Sequence, residues 1–467
     1  MAPPKQISRV AIFSIGWVLT WLTSGGLTTG FGPLYSRLVD EQQWHDLCPA
    51  NATDVCSAQE VQLQSVYSTG LLMTVLGQTI FGALLDTIGP RYMTTGAYLF
   101  SIAGNVCMAY GDSHNGTDGL LVAGFALIGF GGMGILYASL QLSTLFKDPQ
   151  LFTSLIVAAY CFSGYNYVFL ALNVSRETFF LLYAYVILPT LRRLLLVLFS
   201  AIVAVAMVIA FFVFPIHHLV AENTLVPIPG FQLIRPTVDV AKLKSMWAGV
   251  KASFKRRDLW AFITIGSMLF LVLVFTGGAV PSIVSSLAHN DASRKNSYTN
   301  FLYPLVSNTS FLFAPLAGYL LLTKGFKMTA YVSIALFALL CGAGMLPSLA
   351  AQNLTFVLMG ITTGFMSTLQ YVYIMNCFPH ELYGLLSGLV TLLVFIYCLL
   401  SYALTSLAQY SFDGNNNYIF LILLGTTLVS AVFVRFLRED SECLDADLRL
   451  HFLDHEAAPK TPDDHDI

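Results

Sequence analysis

The sequence predicts an all-α membrane protein in which twelve transmembrane helices form two six-helix halves. Three observations predict this fold class. Hydrophobic residues make up 56% of the 467-residue chain and charged residues only 10%, whereas soluble domains carry about 25% charged residues. Twelve apolar stretches are long enough to cross a bilayer, and most basic residues between them fall on one side. This composition excludes a disordered chain, a nucleic-acid binder and an ordinary cytosolic enzyme.

The twelve predicted spans are separated by short polar segments. In chain order they cover residues 10–35, 61–85, 92–111, 119–145, 151–173, 194–215, 259–286, 298–322, 328–349, 355–377, 384–408 and 418–437. The sixth span is the least regular, because Arg192 and Arg193 interrupt the apolar run at 178–215. We therefore predict that 178–191 lies near the membrane surface and that the span begins at residue 194.

The basic residues predict the orientation. With the amino terminus inside, the inner segments hold 17 of the 23 Lys and Arg residues, as expected for cytoplasmic loops. Both termini are therefore predicted to be cytoplasmic. The loop sequons all fall in outer segments and begin at Asn51, Asn115, Asn173 and Asn353. This placement predicts glycosylation on a eukaryotic secretory route, with chance as the alternative.

The cysteines and histidines fit a membrane protein without a metal. Cys48 and Cys56 lie in the first outer loop, where an oxidising exterior favours a disulfide between them. All nine His residues lie in loops or in the tail, and no Cys group has metal-ligand spacing. We therefore predict neither a metal nor another cofactor.

A hydrophilic linker at 216–257 divides a predicted N-terminal bundle, residues 1–215, from a C-terminal bundle, residues 258–437. An acidic tail follows at 438–467. The linker carries an apolar stripe at helical spacing, with several lysines beside it. The stripe is formed by Leu243, Met246, Trp247, Val250 and Phe254. The stripe predicts a helix lying on the inner leaflet, and a solvated linker helix is an equal alternative.

The two bundles contain a faint internal repeat. Three glycines of the first bundle recur at a constant offset of 236 residues, the pairs being Gly82 and Gly318, Gly89 and Gly325, and Gly124 and Gly360. The segment from Gly82 to Arg91 resembles the loop motif of the major facilitator superfamily, with Thr87 in place of its usual basic residue. This resemblance implies that Gly82, Asp86, Gly89 and Arg91 form an inner gate. The alternative is a simple turn with a solvated Asp.

In the superfamily, the partner of this aspartate is the start of span eleven, which here falls near Gly384. A carboxylate complements the positive end of a helix dipole, and a glycine lets two helices approach closely. We therefore expect Asp86 to hold the inner side shut through the start of that helix.

Several other segments carry a closer resemblance: Leu47–Cys48, Asn51–Thr53 and Cys56–Gln59 in the first outer loop, Gly124–Gly132 with Leu142–Phe146, and Phe378–Pro379 with Tyr383–Leu389. They resemble solute carrier family 43, the sodium-independent neutral amino-acid facilitators. The chain departs from the family at 174–193 and resembles it weakly in spans seven to nine. Because that family includes a nucleobase-transporting branch, the resemblance does not settle the substrate.

The interiors of the predicted spans contain no Asp, Glu, Lys, Arg or His. A proton-coupled carrier needs a titratable group at membrane depth, so the sequence favours uncoupled transport. A dry cavity without charges also favours a neutral or zwitterionic solute. Sodium coupling is less firmly excluded, since carbonyls and hydroxyls can bind Na⁺.

The candidate substrate-binding residues are polar groups and glycine breaks near the middle of predicted spans. They are Ser24, Gly25, Gly26, Tyr137, Tyr165, Asn166, Thr276, Asn308, Gln370 and Tyr371. Asn166 and Gln370 are the favoured pair, because a buried amide is costly unless it is bonded. The alternative for each residue is a helix–helix hydrogen bond or a packing glycine.

These features predict a multi-pass facilitator of the plasma membrane for neutral, large apolar amino acids. Its expected partners are a small neutral or zwitterionic solute and membrane lipid, without nucleic acid, and a monomer is expected. One alternative is a carrier of a neutral planar solute such as a nucleobase or riboflavin. Another is a non-transporting membrane receptor or scaffold. An enzyme is not predicted, because no span supplies a titratable acid or base.

Overall fold

The computed structural model describes residues 6–49, 56–171, 175–184, 202–214, 225–227, 240–288, 294, 297–379, 382–412 and 415–439. Helices dominate these segments. We call the end of the bundle that carries Asp86 and the linker helix the inner end, following the predicted topology, and the opposite end the outer end.

Eight helices precede the linker in the described part of the chain. They are α1 (Arg9–Thr23), α2 (Phe31–Asp40), α3 (Ser57–Ile88), α4 (Pro90–Tyr110), α5 (Gly119–Leu140), α6 (Pro149–Ser163), α7 (Arg176–Ala184) and α8 (Ile202–Val213). Of these, α1 and α2 belong to one apolar segment, Arg9–Asp40. Short 3₁₀ segments continue several of them at Gly25–Gly30, His45–Leu47, Gln141–Leu145 and Gly164–Ala171. We call α1 to α8 the N-terminal helices.

The linker and the part of the chain after it also contain helices. They are α9 (Val240–Ser253), α10 (Arg257–Leu287), α11 (Tyr303–Ser307), α12 (Ser310–Gly344), α13 (Gln352–Cys377), α14 (Tyr383–Cys398), α15 (Leu400–Ser411) and α16 (Asn417–Phe433). A π-helical turn at Ser297–Leu302 precedes α11, and a 3₁₀ turn at Val434–Phe436 follows α16. We call α10 to α16 the C-terminal helices.

One small sheet departs from the all-helical prediction. Strand β1 (Gln6–Ser8) pairs antiparallel with β2 (Leu225–Pro227), so that Ile7 lies opposite Val226. The amino terminus is thereby tied to the linker. Periodicity could not predict two three-residue strands that are distant in sequence.

Eight helical segments among the described residues are long and apolar enough to cross a membrane. They are Arg9–Asp40, Val61–Ile88, Gly119–Leu145, Arg257–Val284, Ser297–Gly344, Gln352–Cys377, Tyr383–Ala408 and Asn417–Phe436. The 48-residue segment Ser297–Gly344 contains two of the predicted spans. The predicted spans at 92–111 and 151–173 coincide with helices α4 and α6. The count of twelve and the division into six and six remain predictions.

The repeated glycines mark the same backbone turn twice. Gly89, between α3 and α4, has φ 83° and ψ 165°. Gly325 interrupts α12 with φ 77° and ψ −178°. Side chains other than hydrogen disfavour such positive φ values. Each glycine therefore turns the chain sharply at the inner end, and Gly325 separates the predicted eighth and ninth spans.

The described part of the predicted surface segment at 178–191 belongs to α7, which packs against α4. Phe180 and Tyr183 of α7 are buried, and Arg176 donates to the Met108 carbonyl near the outer end of α4. At the other end, Phe214 follows α8 and accepts a bond from Arg91 at the start of α4. Helices α7 and α8 therefore pack on opposite ends of α4. The surface position of 178–191 stays a prediction.

Candidate functional site

The N-terminal and C-terminal helices meet at both ends of the bundle, and six of the fourteen candidate substrate and gate residues lie at these two contacts. At the inner end, Asp86 of α3 accepts hydrogen bonds from the main-chain N–H groups of Gly384 at 3.3 Å and Leu385 at 2.8 Å. The carboxylate is 1% exposed. It meets the N-terminus of α14, where unpaired N–H groups and the helix dipole favour a negative charge.

Close packing of glycines brings α3 and α14 together at this inner contact. A Cβ atom on Gly82 would overlap the Gly384 carbonyl, and a Cβ atom on Gly384 would overlap the Gly82 carbonyl. One helical turn farther from the inner end, Thr79 donates to the Gly388 carbonyl at 3.1 Å. The small faces of the two helices therefore allow backbone contact between them.

Tyr137 of α5 also belongs to the inner contact. Its hydroxyl donates to Ser387 Oγ at 3.0 Å, and its ring lies edge-on to that of Tyr371, with centroids 6.2 Å apart. The ring of Tyr383 is 6.1 Å away. Tyr137 and Tyr371 were predicted as substrate residues, and the structure places both in the contact between helices α5, α13 and α14.

The other two predicted gate residues have different surroundings. Gly89 makes the turn between α3 and α4. Arg91 is buried, and its Nε donates to the Phe214 carbonyl at 3.2 Å. The guanidinium carbon lies 5.2 Å from the centre of the Phe211 ring. These Arg91 contacts lie within the N-terminal helices, and the gate role of Arg91 stays a prediction. Arg91 fixes the end of α8 beside α4.

The C-terminal helices lack a counterpart of Asp86 at the equivalent turn. The position 236 residues later is Leu322. Instead, Glu439 accepts a bond from the main-chain N–H of Phe326 at 3.1 Å, beside Gly325. A second carboxylate at the inner end, Asp258, binds both Arg256 and Arg438. In the described part of the chain, Glu439 therefore binds at the Gly325 turn, while Asp86 reaches across to the C-terminal helices.

The outer contact is built from irregular segments. After Thr23, α1 gives way to the 3₁₀ segment Gly25–Gly30, which matches the predicted break. Within this segment, the Thr29 carbonyl accepts a hydrogen bond from Asn308 Nδ2 at 3.3 Å. Asn308 and Thr309 form a turn between α11 and α12. Asn308, which was predicted as a substrate residue, therefore joins the two sets of helices.

The turn at Asn308 also frees a main-chain acceptor. The N–H of Thr309 bonds to the Val306 carbonyl instead of the Leu305 carbonyl that a regular α-helix would use. The Leu305 carbonyl accepts from the Tyr165 hydroxyl at 2.6 Å. Tyr165 lies in the 3₁₀ segment that continues α6. This predicted substrate residue is thus a second bond of the outer contact.

The break in α1 is packed on both sides. A Cβ atom on Gly25 would press on Met133 of α5, and one on Gly26 would overlap the Tyr160 carbonyl of α6. Ser24 bonds to Ser163 of α6 at 3.3 Å. The structure therefore places these three predicted substrate residues in packing positions among α1, α5 and α6.

The favoured amide pair is not brought together. Asn166 Nδ2 donates to the Trp21 carbonyl at 2.8 Å and to the Tyr183 hydroxyl at 3.3 Å, within the N-terminal helices. Gln370 Nε2 donates to Thr391 Oγ1 at 2.6 Å, within the C-terminal helices. Asn166 is buried and Gln370 half-buried. Only Gln370 keeps part of its side chain exposed.

Three of the buried polar atoms without a hydrogen-bond partner among the described residues lie on helices α3, α10 and α14. They are the Thr276 hydroxyl of α10, Gln78 Oε1 of α3 and the Tyr383 hydroxyl of α14. A buried polar group without a partner costs about 1–3 kcal/mol. Thr276 was predicted, whereas Gln78 and Tyr383 were missed. Gln78 precedes Gly82 and Asp86 at intervals of four, so its helix face could have revealed it.

The outer loops carry the predicted disulfide, which the structure forms between Cys48 and Cys56. Of the predicted glycosylation sites, Asn115 and Asn353 are exposed, while Asn51 and Asn173 lie outside the described residues.

Next to Asn115, His114 lies 3.3 Å from the Glu41 carbonyl and 3.4 Å from Asp46. The bond to Glu41 raises the pKa of His114. The described residues contain no group of three or more potential metal ligands.

Comparisons with known proteins identify the architecture. No protein-family profile matches the sequence. Protein FMP42 of Saccharomyces cerevisiae is 29% identical over 178 residues, which are 35% of this chain and 34% of the yeast protein. The matched region therefore spans about a third of that relative.

Solved structures match almost the whole chain. One is the proton:xylose symporter XylE of the major facilitator superfamily, bound to 6-bromo-6-deoxy-D-glucose. Its TM-score is 0.58 and its identity 16%, with 93% of this chain and 97% of XylE covered. A double-tryptophan XylE mutant gives a TM-score of 0.61 at 16% identity, covering 92% and 96% of the two chains. These likenesses show that the chain has the major facilitator fold.

Proposed function

We propose that this protein is a facilitator of neutral, large apolar amino acids, related to solute carrier family 43, which works by alternating access without ion coupling. It would act in the plasma membrane with both termini in the cytoplasm. The observation that carries the proposal is the pair of contacts at opposite ends of a bundle that has a transporter fold. Opening one contact while the other stays closed would expose the middle of the bundle to one side at a time.

The placement of charges supports transport without a coupled proton. In the described helices, ionisable acids and bases lie near helix ends or at the Gly325 turn, as Asp86, Arg91 and Asp258 do. XylE is a proton symporter, and a proton relay requires a titratable group at membrane depth. The described part of this chain offers no Asp, Glu, His, Lys or Arg in the middle of a span. A solute without net charge fits such an interior best.

Polar groups on helices that form or adjoin the inner contact, or lie on α10, are the proposed ligands of the solute. Gln370 is half-buried, and Gln78, Thr276 and Tyr383 each hold a buried polar atom without a partner among the described residues. A zwitterion would offer both donors and acceptors to these groups. Binding would then offset part of the cost of leaving them unpaired.

Uptake into proteoliposomes tests the proposal. We expect saturable uptake of labelled leucine or phenylalanine without sodium, and the same initial rate with or without a pH gradient. Gln370→Ala should raise the KM, whereas the matched change Gln352→Ala, at the outer start of α13, should not. Absence of saturable uptake across a broad amino-acid panel would refute the amino-acid assignment.

The same assay separates the alternatives. Inhibition by adenine or riboflavin, but not by leucine, would favour the planar-solute carrier. Binding of a solute without any counterflow would instead favour a receptor. Acceleration by a sodium gradient would contradict the uncoupled mechanism.

A further inference from the structure

The linker helix α9 has two distinct faces. Met246, Val250 and Ser253 are buried and lie at spacings of three and four residues. Met246 and Val250 pack against Leu382, and a Cβ atom on Gly249 would press on the same side chain. The apolar stripe was expected to face the bilayer, but its most buried members face the protein instead.

The docking point of α9 adjoins the inner contact. Leu382 immediately precedes α14, whose first N–H groups, at Gly384 and Leu385, bind Asp86. Leu385 also packs near the Met246–Val250 cluster. The position of α9 is therefore mechanically linked to the helix start that Asp86 holds.

The opposite face of α9 is basic and carries an exposed tryptophan. Lys244, Trp247 and Lys251 are exposed and share one helix face, and exposed Lys255 continues it after the helix ends. Trp247 is 53% exposed. The sequence of α9 contains no acidic residue, so nothing on the helix neutralises the lysines.

Neighbouring residues place this face at the level of the membrane surface. Phe254, which follows α9, packs on Trp260 in the first turn of α10, with ring centroids 5.9 Å apart. Trp260 is largely exposed on the side of a predicted span, and tryptophans gather at the membrane–water interface. An exposed tryptophan among lysines on a nearby helix is suited to the same layer.

We propose that the basic face of α9 binds anionic phospholipid headgroups of the inner leaflet, and that this binding holds α9 on Leu382 and stabilises the inner contact. Each lysine near an anionic membrane strengthens attachment roughly fivefold. Trp247 inserts at the headgroup level, while Met246 and Val250 remain on the protein. Lipid binding thus stabilises the gate indirectly, through the contact of α9 with Leu382, and the lipid does not contact the solute.

Hydrogen exchange of the full-length protein in nanodiscs tests this proposal without requiring transport. The discs contain phosphatidylcholine alone or phosphatidylcholine with a minority of phosphatidylserine. We expect phosphatidylserine to slow exchange severalfold in peptides covering 240–253 and 382–389. The triple variant Lys244→Gln, Lys251→Gln and Lys255→Gln should lose this difference. A control with Lys147→Gln and Lys324→Gln, two exposed inner lysines outside α9, should keep it.

Several results would overturn the proposal. One is equal exchange in the two kinds of disc for the unaltered protein. Another is an undiminished lipid effect in the triple variant. Inorganic phosphate that slows exchange equally in neutral discs would show that a free anion, and not lipid, occupies the face. Because exchange is measured without solute, these outcomes are independent of whether the protein carries amino acids.

Discussion

The two ends of the bundle are closed by different chemistry. At the inner end, a buried carboxylate caps a regular helix, and glycines let α3 and α14 touch through their backbones. At the outer end, neutral side chains donate to carbonyls in or beside irregular segments, as Asn308 does to Thr29 and Tyr165 to Leu305. The inner contact is rigid and charged, whereas the outer contact is neutral and built on interrupted helices.

This difference sets the expected strength of each contact. Hydrogen bonds to a charged group contribute about 1.5–3 kcal/mol each, and neutral ones about 0.5–1.5 kcal/mol. The inner contact should therefore be the costlier one to open. The irregular segments at the outer end can change their backbone geometry with less loss of helical bonding. Changes at the inner end should consequently have larger effects on the transport cycle.

The largest effect is expected from Gly82→Ala. The new methyl group would overlap the Gly384 carbonyl, so α3 and α14 must separate. Overpacking of this kind costs about 1–3 kcal/mol, and the rate of uptake should fall roughly 5- to 150-fold. Gly96→Ala is the matched control, because a Cβ atom at Gly96 meets nothing within 4 Å. Equal uptake rates for the two variants would contradict the close contact.

Asp86→Asn should have the next largest effect. The neutral amide weakens both bonds to the N-terminus of α14, so the closed inner contact should lose about tenfold in population, or about 1.4 kcal/mol. Leucine binding should persist while the uptake kinetics change. Asp148→Asn serves as the control, since that inner aspartate is exposed and caps no helix through its side chain. Unchanged uptake kinetics in the Asp86→Asn variant would contradict a gate role for Asp86.

Tyr165→Phe should shift the cycle in the opposite direction by a smaller amount. It removes one neutral hydrogen bond to the Leu305 carbonyl. The population of the closed outer contact should therefore fall by a factor of a few. Labelling of a thiol introduced beside this contact as Ser307→Cys should become faster, because that change leaves both hydrogen bonds of the outer contact in place. Tyr319→Phe is the control, because Tyr319 is largely exposed away from this contact. Slower labelling would contradict the assignment.

The smallest effect concerns the outer loop that contains His114. The bond to the Glu41 carbonyl raises the pKa of His114. The protonated form therefore stabilises the folded loop at low pH, and this contribution is lost as pH rises through the raised pKa. Hydrogen exchange of residues 112–118 should quicken over that interval beyond its intrinsic pH dependence. His114→Gln should abolish the extra change, and a persistent change would exclude His114 as its source.

The sequence predicted the parts of the structure that depend on local chemistry. Gly89 and Gly325 mark two turns because only glycine readily adopts a positive φ. The Asp86 motif pointed to the neighbourhood of Gly384, where the structure places its hydrogen-bond partners. The break after Thr23 followed from consecutive small residues at Ser24–Gly26.

The tertiary environment of the polar residues could not be predicted in the same way. Asn166, Tyr137 and Tyr165 have similar local sequence surroundings, because each is a polar residue among mostly apolar neighbours. Asn166 bonds within the N-terminal helices, Tyr137 belongs to the inner contact and Tyr165 to the outer one. The distinction depends on which helix lies opposite, and one helix's periodicity carries no information about its neighbour. For the same reason, the packing of α7 on α4 was missed.

Spin-label distances across both contacts test the reciprocal gating most directly. One pair of labels, at positions 147 and 324, would report on the inner end, and a second pair, at 46 and 415, on the outer end. We predict that Asp86→Asn lengthens the inner distance and shortens the outer one, while Tyr165→Phe does the reverse. If both distances change in the same direction, or if neither variant changes them, the two contacts do not alternate and the proposed mechanism is contradicted.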